Sequence, residues 1–167
     1  PLPTTGDYII QPGLIDVGCL ATSSQNVATL VKTSSLPNNN VDCSSATIIT
    51  GMVDPYGSIL EIGTISSSTV AAFVGQLVKK SGRTTGFTTG ESQQIDASVR
   101  VSYGNSGTAL FQDQFVAGAM SQGGDSGSAV LDGEDYVIGL LFAGSDTTTI
   151  INRIANVTAA LNVSIAS

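Results

Sequence analysis

The chain has no histidine, no tryptophan, two cysteines and only six Lys and Arg among its 167 residues. Each shortage excludes something. Without histidine, two cysteines cannot build a zinc site of the usual Cys/His kind, and neither a metal nor a cofactor is expected. With a formal net charge of −7 the surface lacks the cationic face that nucleic acid or an anionic membrane requires as partner. No apolar run is long enough to cross a bilayer, and the start, PLPTTGDYIIQPG, lacks the basic-then-apolar order of a signal peptide. Two free thiols are the expected state of Cys19 and Cys43, with a single bridge between them as the alternative. The acidic, Ser/Thr-rich, Lys-poor composition leans towards an extracellular or cell-envelope location.

What is present suits a β protein. Apolar residues make up 41% and charged ones 11%, enough to bury a core. Strand-like runs recur at 27–32, 46–53, 58–65, 73–79, 95–102, 108–116, 128–131 and 136–143, mostly bounded by Gly, Asn, Asp or Pro. IDASVRVS at 95–102 alternates as a half-buried strand does. AVLDGEDYVIGLLFAG reads as a hairpin turned by Asp132 and Gly133. Only NRIANVTAALNV, with Asn152 as candidate N-cap, has helical spacing. The Ser/Thr stretch 64–70 is the candidate linker between β units at 1–66 and 72–163.

The strongest chemical motif is SQGGDSGSAV, residues 121–130. Gly-Asp-Ser-Gly sets Ser126 in a tight turn whose glycines reach backbone angles closed to larger residues. Such a turn can aim the amides of Gly124 and Ser126 at one point beside the hydroxyl, forming an oxyanion hole next to a nucleophile. A bare GDSG stands equally for an ordinary turn. An α/β-hydrolase elbow is excluded, because position +2 from Ser126 is Ser128 rather than Gly and no helix pattern follows.

GDSGS here is followed by a strand, a DG turn and GLLFAGS, and preceded by KSGRTTG within 78–91. As a set these segments resemble the trypsin-like (chymotrypsin-fold) serine peptidases, in a bacterial branch, from about residue 9 to the end. The resemblance implies an all-β double barrel with a short C-terminal helix, its first barrel incomplete, and hydrolysis of a polypeptide substrate through an acyl-enzyme at Ser126. It implies that Asp42, in NNNVDCSSATI, is the acid of the triad, although an Asp after three Asn also suits a cap or turn. It further implies that Phe142, Ala143 and Gly144 form the edge that pairs with substrate. Met120 would floor the specificity pocket, favouring an apolar or small side chain, with Gln122 and Gly144 on its rim. In many family members the acid equivalent to Asp125 pairs with a freed N-terminus. A Pro-Leu-Pro start does not suit that pairing, and local hydrogen bonds to Asp125 are expected instead.

A serine hydroxyl is a poor nucleophile at neutral pH without an adjacent base. The resemblance puts the family's histidine before Asp42, at or just beyond the start of this chain. The expectation is therefore a C-terminal fragment, inactive alone, whose His-bearing segment is a partner that stays attached or whose barrel edges are otherwise covered. Lys79 and Lys80 fall at the barrel opening rather than in the cleft. The alternative is a peptidase-fold binding module without catalysis.

Overall fold

The computed structural model of the chain describes residues 3–34 and 40–166. These form two compact units. One takes the residues up to Thr33 together with Ser44–Pro55; the other takes Ser34, the segment from Asn40 to Cys43, and Tyr56 onward.

In the first unit β1 (Tyr8–Ile10), β2 (Asn26–Thr33) and β3 (Ser44–Ile48) make an open antiparallel sheet in that order. Its buried apolar residues are few: Val27, Ala28 and Leu30. Tyr8, Ile15, Leu20, Val31 and Ile48 are exposed.

The second unit contains a short ribbon, β4 (Ser58–Ile59) with β5 (Gly63–Thr64), and a closed barrel. The barrel strands are β6 (Leu77–Gly82), β7 (Gly86–Ser102), β8 (Thr108–Gly118), β9 (Ala129–Leu131), β10 (Val137–Gly144) and β11 (Thr148–Arg153). They close in the order β10-β11-β8-β7-β6-β9. Val78, Phe115, Val130, Ile138, Leu141 and Ile151 fill the interior. A second cluster seats the helix α1 (Ile154–Leu161): Ile154, Val157 and Leu161 pack with Val41, Leu131 and Val137. Burying each such side chain stabilises by about 1.5–3 kcal/mol. The chain is thus all-β with one short C-terminal helix.

Several expectations change in detail. The run 46–53 ends as a strand at Ile48, and Gly51 turns the chain with φ 82°. The run 58–65 is split into β4 and β5 by a turn in which Glu61 adopts positive φ. The hairpin between β9 and β10 is not turned by Asp132-Gly133 alone. Asp132 Oδ1 accepts from the amides of Glu134 (2.9 Å) and Tyr136 (3.0 Å), and Asp135 is the left-handed residue. Asn152 is no helix cap: it lies in β11, Arg153 holds the N-cap position, and the β-branched run Thr148–Ile151 continues the barrel. Cys19, exposed, and Cys43, buried, are not joined in a disulfide. Among the described residues no helix is long and apolar enough to cross a membrane, and no group of metal-ligating side chains assembles.

Candidate active site

The turn that carries Ser126 connects β8 to β9 and is fastened to β10. The Gly127 amide donates to Leu141 O (2.8 Å) and the Leu141 amide to Ser128 O (3.0 Å). The Ser126 hydroxyl is exposed and donates to Phe142 O at 3.3 Å. Among the described residues no acceptor is bonded to the Gly124 or Ser126 amide. Gly124 has φ 102°, and a Cβ there would stand 2.3 Å from Thr84 Oγ1. Glycine is required at that position on both counts.

Asp125 points the other way, into the protein, and is 1% exposed. The tip of the β6–β7 hairpin, Gly82 to Gly86, closes around it. Oδ1 accepts from the amides of Thr84 (2.8 Å) and Thr85 (3.1 Å). Oδ2 accepts from the Gln122 amide (2.9 Å) and the Thr85 hydroxyl (2.7 Å), and Lys80 Nζ lies 3.6 Å away. Burial opposes ionisation of this carboxyl, but the hydrogen bonds from Gln122, Thr85 and Thr84 outweigh it and hold the pKa down at about 2. The expected local bonding of Asp125 is therefore present; residues 1 and 2 lie outside the described set.

Lys80 is fully buried, also donating to Thr85 Oγ1 and Gly86 O (2.9 Å). Sequence reasoning passed it over as a barrel-opening residue. Period-two alternation offers the missing clue, since Val78 and Lys80 share the inward side of β6.

Asp42 is half-buried and its backbone is gripped by one side chain of β11. Asn152 Oδ1 accepts the Asp42 amide (3.1 Å) while Nδ2 donates to its carbonyl (2.8 Å). Gln114 of β8 donates to Asn40 O (2.8 Å), steadying the same segment. The Tyr103 hydroxyl donates to Asp42 Oδ2. Burial, then the bond to Asp42, then its charge raise the Tyr103 pKa far above the ordinary phenol value. No hydrogen bond joins Asp42 to Ser126 among the described residues. A string of contacts runs between them: Tyr103 leans on Phe111 (6.3 Å), and Phe111 meets Phe142 edge-on (5.0 Å). Phe142 O then accepts the Ser126 hydroxyl.

A cavity of about 820 Å³ opens beside Ser126. Met120, Gln122, Ala143 and Gly144 line it, joined by Thr85, Thr88 and Asp146, which sequence reasoning did not select. Phe142 and Gly124 are not in its wall. Met120 is buried, with Sδ 2.8 Å from where a Cβ on Gly90 would stand, so most of its side chain serves the barrel core.

No family model matches the chain, and no curated protein does. Solved structures do. Cellulomonas bogoriensis chymotrypsin is 25% identical, with 83% of this chain and 74% of that one aligned and a TM-score of 0.63. A glutamic acid specific serine protease, described as using a histidine triad in substrate binding, is 28% identical over 87% of this chain and 77% of that one, TM-score 0.67. Thermobifida fusca protease A is 23% identical over 84% and 74%, TM-score 0.67. The fold is that of the bacterial chymotrypsin-like serine proteases.

Proposed function

We propose that this chain supplies the nucleophile and the orienting acid of a serine endopeptidase, with Ser126 attacking the scissile carbonyl. Its hydroxyl proton would pass to an imidazole oriented by Asp42. The amides of Gly124 and Ser126 would stabilise the oxyanion, and the acyl-enzyme would be hydrolysed by the reverse proton path. The observation that carries this reading is an exposed Ser126 beside a large cavity and beside amides that no acceptor among the described residues takes up, in a turn pinned by buried Asp125. Phe142, Ala143 and Gly144 at the end of β10 would pair with an extended polypeptide substrate.

Since the sequence has no histidine, the imidazole must come from polypeptide outside these 167 residues. The open sheet β1–β2–β3, with Tyr8, Val31 and Ile48 exposed, suits a retained segment as its cover. Native mass spectrometry of protein from its natural source then reports more polypeptide than 167 residues, in one chain or two.

A fluorophosphonate probe with peptide mapping tests the activity. Labelling of Ser126 is expected in the source protein and absent from the 167-residue chain alone and from Asp42→Ala. A folded source protein that takes no label overturns the peptidase reading. It would favour the second reading that the missing histidine supports, a peptidase-fold binding module.

A further inference from the structure

Asp42 is held twice, by two side chains with different effects. Asn152 takes its amide and its carbonyl, which fixes the backbone but leaves the carboxyl to turn about χ2, a torsion with broad two-fold wells. The carboxyl itself is gripped by Tyr103, whose hydroxyl donates to Oδ2; among the described residues Oδ1 meets no donor. Tyr103 directly follows β7, and the turn into β8 fixes its backbone. The Tyr103 amide donates to Gly107 O (2.8 Å) and the Gly107 amide to Gly104 O (3.1 Å). The half-buried ring of Tyr103 leans on Phe111, which has no exposed surface. Phe111 in turn meets the ring of Phe142, whose carbonyl accepts the Ser126 hydroxyl. One row of three rings therefore spaces the Tyr103 hydroxyl, and with it the Asp42 carboxyl, against Ser126. Burial first, then the bond to Asp42, keeps this phenol protonated beyond the ordinary phenol range, so it remains a donor at neutral and mildly alkaline pH.

We propose that Tyr103 is a positioning residue for the proton path: its hydroxyl takes Oδ2 of Asp42 and so turns Oδ1 towards the imidazole, whose N–H that oxygen accepts. The inference rests on the peptidase reading for the imidazole, and it adds a residue that neither GDSG nor the Asp42 segment announces. A misdirected carboxylate leaves the imidazole tilted or in the wrong tautomer, and a misplacement of about 1 Å can cost about a hundredfold in rate.

Two measurements test it, and the first needs no imidazole. In the 167-residue chain, tyrosine labelled with carbon-13 at Cζ gives one signal for each of the four tyrosines, and the signal lost in Tyr103→Phe is that of Tyr103. Its ionisation is expected above the ordinary phenol range, and Asp42→Asn should lower it by at least about one pH unit. A Tyr103 that titrates identically in the parent chain and in a folded Asp42→Asn has no bond to Asp42 in solution, and the proposal falls. The second measurement uses the source protein and rising concentrations of the fluorophosphonate probe. Tyr103→Phe keeps the ring on Phe111 and deletes only the hydroxyl. The maximal labelling rate of Ser126 is expected to fall at least about tenfold, while the probe concentration giving half that rate stays within about twofold. Labelling at the parent rate, or a change confined to the half-saturating concentration, overturns the positioning role and leaves the peptidase reading standing. A source protein that takes no label in its parent form overturns both, whatever the titration reports, because Asp42 then orients no imidazole.

Discussion

Asp125 and Lys80 meet with no solvent on either side chain, and that decides how each tolerates substitution. Asp125→Ala leaves a buried ammonium without a counter-charge and is expected to cost about 3–5 kcal/mol in urea unfolding. Lys80→Met should cost less, about 1–3 kcal/mol, because the carboxylate keeps three amide donors and the Thr85 hydroxyl. The reverse ranking would mean that the lysine, not the hydrogen bonds, holds the turn. Acid stability follows the same group. Its pKa falls from 3.8 to about 2 on folding, so its contribution is full above about pH 5 and fades as pH drops towards 2. The contribution amounts to roughly 2–3 kcal/mol. Asp125→Asn should flatten that part of the stability–pH curve below pH 4, measured against the parent chain. The presence of Asp125 was legible in GDSG; its partner was not, because a lysine in a strand gives no local sign of how deep it will sit.

The β6–β7 hairpin and the Ser126 turn work as one element. Thr84 offers its amide to Asp125 and its hydroxyl to Gly123 O (2.9 Å), so the hairpin tip shapes the loop on both sides of Gly124. Gly124→Ala puts a methyl against Thr84 Oγ1 at a φ that costs about 1–2 kcal/mol for an L residue. The expected result is a folded protein whose fluorophosphonate labelling, in the source form, slows more than about tenfold. Labelling at the parent rate would mean that the amide of residue 124 takes no part in the oxyanion site. The motifs KSGRTTG and GDSG were both visible in the sequence, but that one grips the other was not. Asn152 shows the same gap. Its local pattern suits a helix cap, yet the barrel keeps Thr148–Arg153 extended and turns its amide onto Asp42, 110 positions away.

Across the molecule, burial is divided unequally between the two units. The barrel carries two apolar clusters around fully buried Phe115, Leu131 and Ile151, whereas the three-stranded sheet buries little and exposes several large apolar side chains. Opening free energy follows buried contact, so amide exchange should be fast in β1–β3 and slow in β8, β10 and β11. Hydrogen exchange with mass spectrometry reads this directly. Equal protection in both units would contradict the division. If a retained segment covers β1–β3 in the source protein, protection there should rise while the barrel stays unchanged.

By itself the sequence determined what depends on neighbours along the chain: the alternation that makes β strands, the glycine-bounded serine turn, and the lack of any imidazole. These follow from local backbone sterics and residue chemistry. Only the tertiary structure decided which distant groups meet. Lys80 reaches Asp125, Asn152 holds Asp42, and Asp146 stands in the wall beside Ser126. Such encounters depend on barrel closure and register, where a shift of one residue turns every side chain to the opposite face, so nothing near them in the chain could announce them.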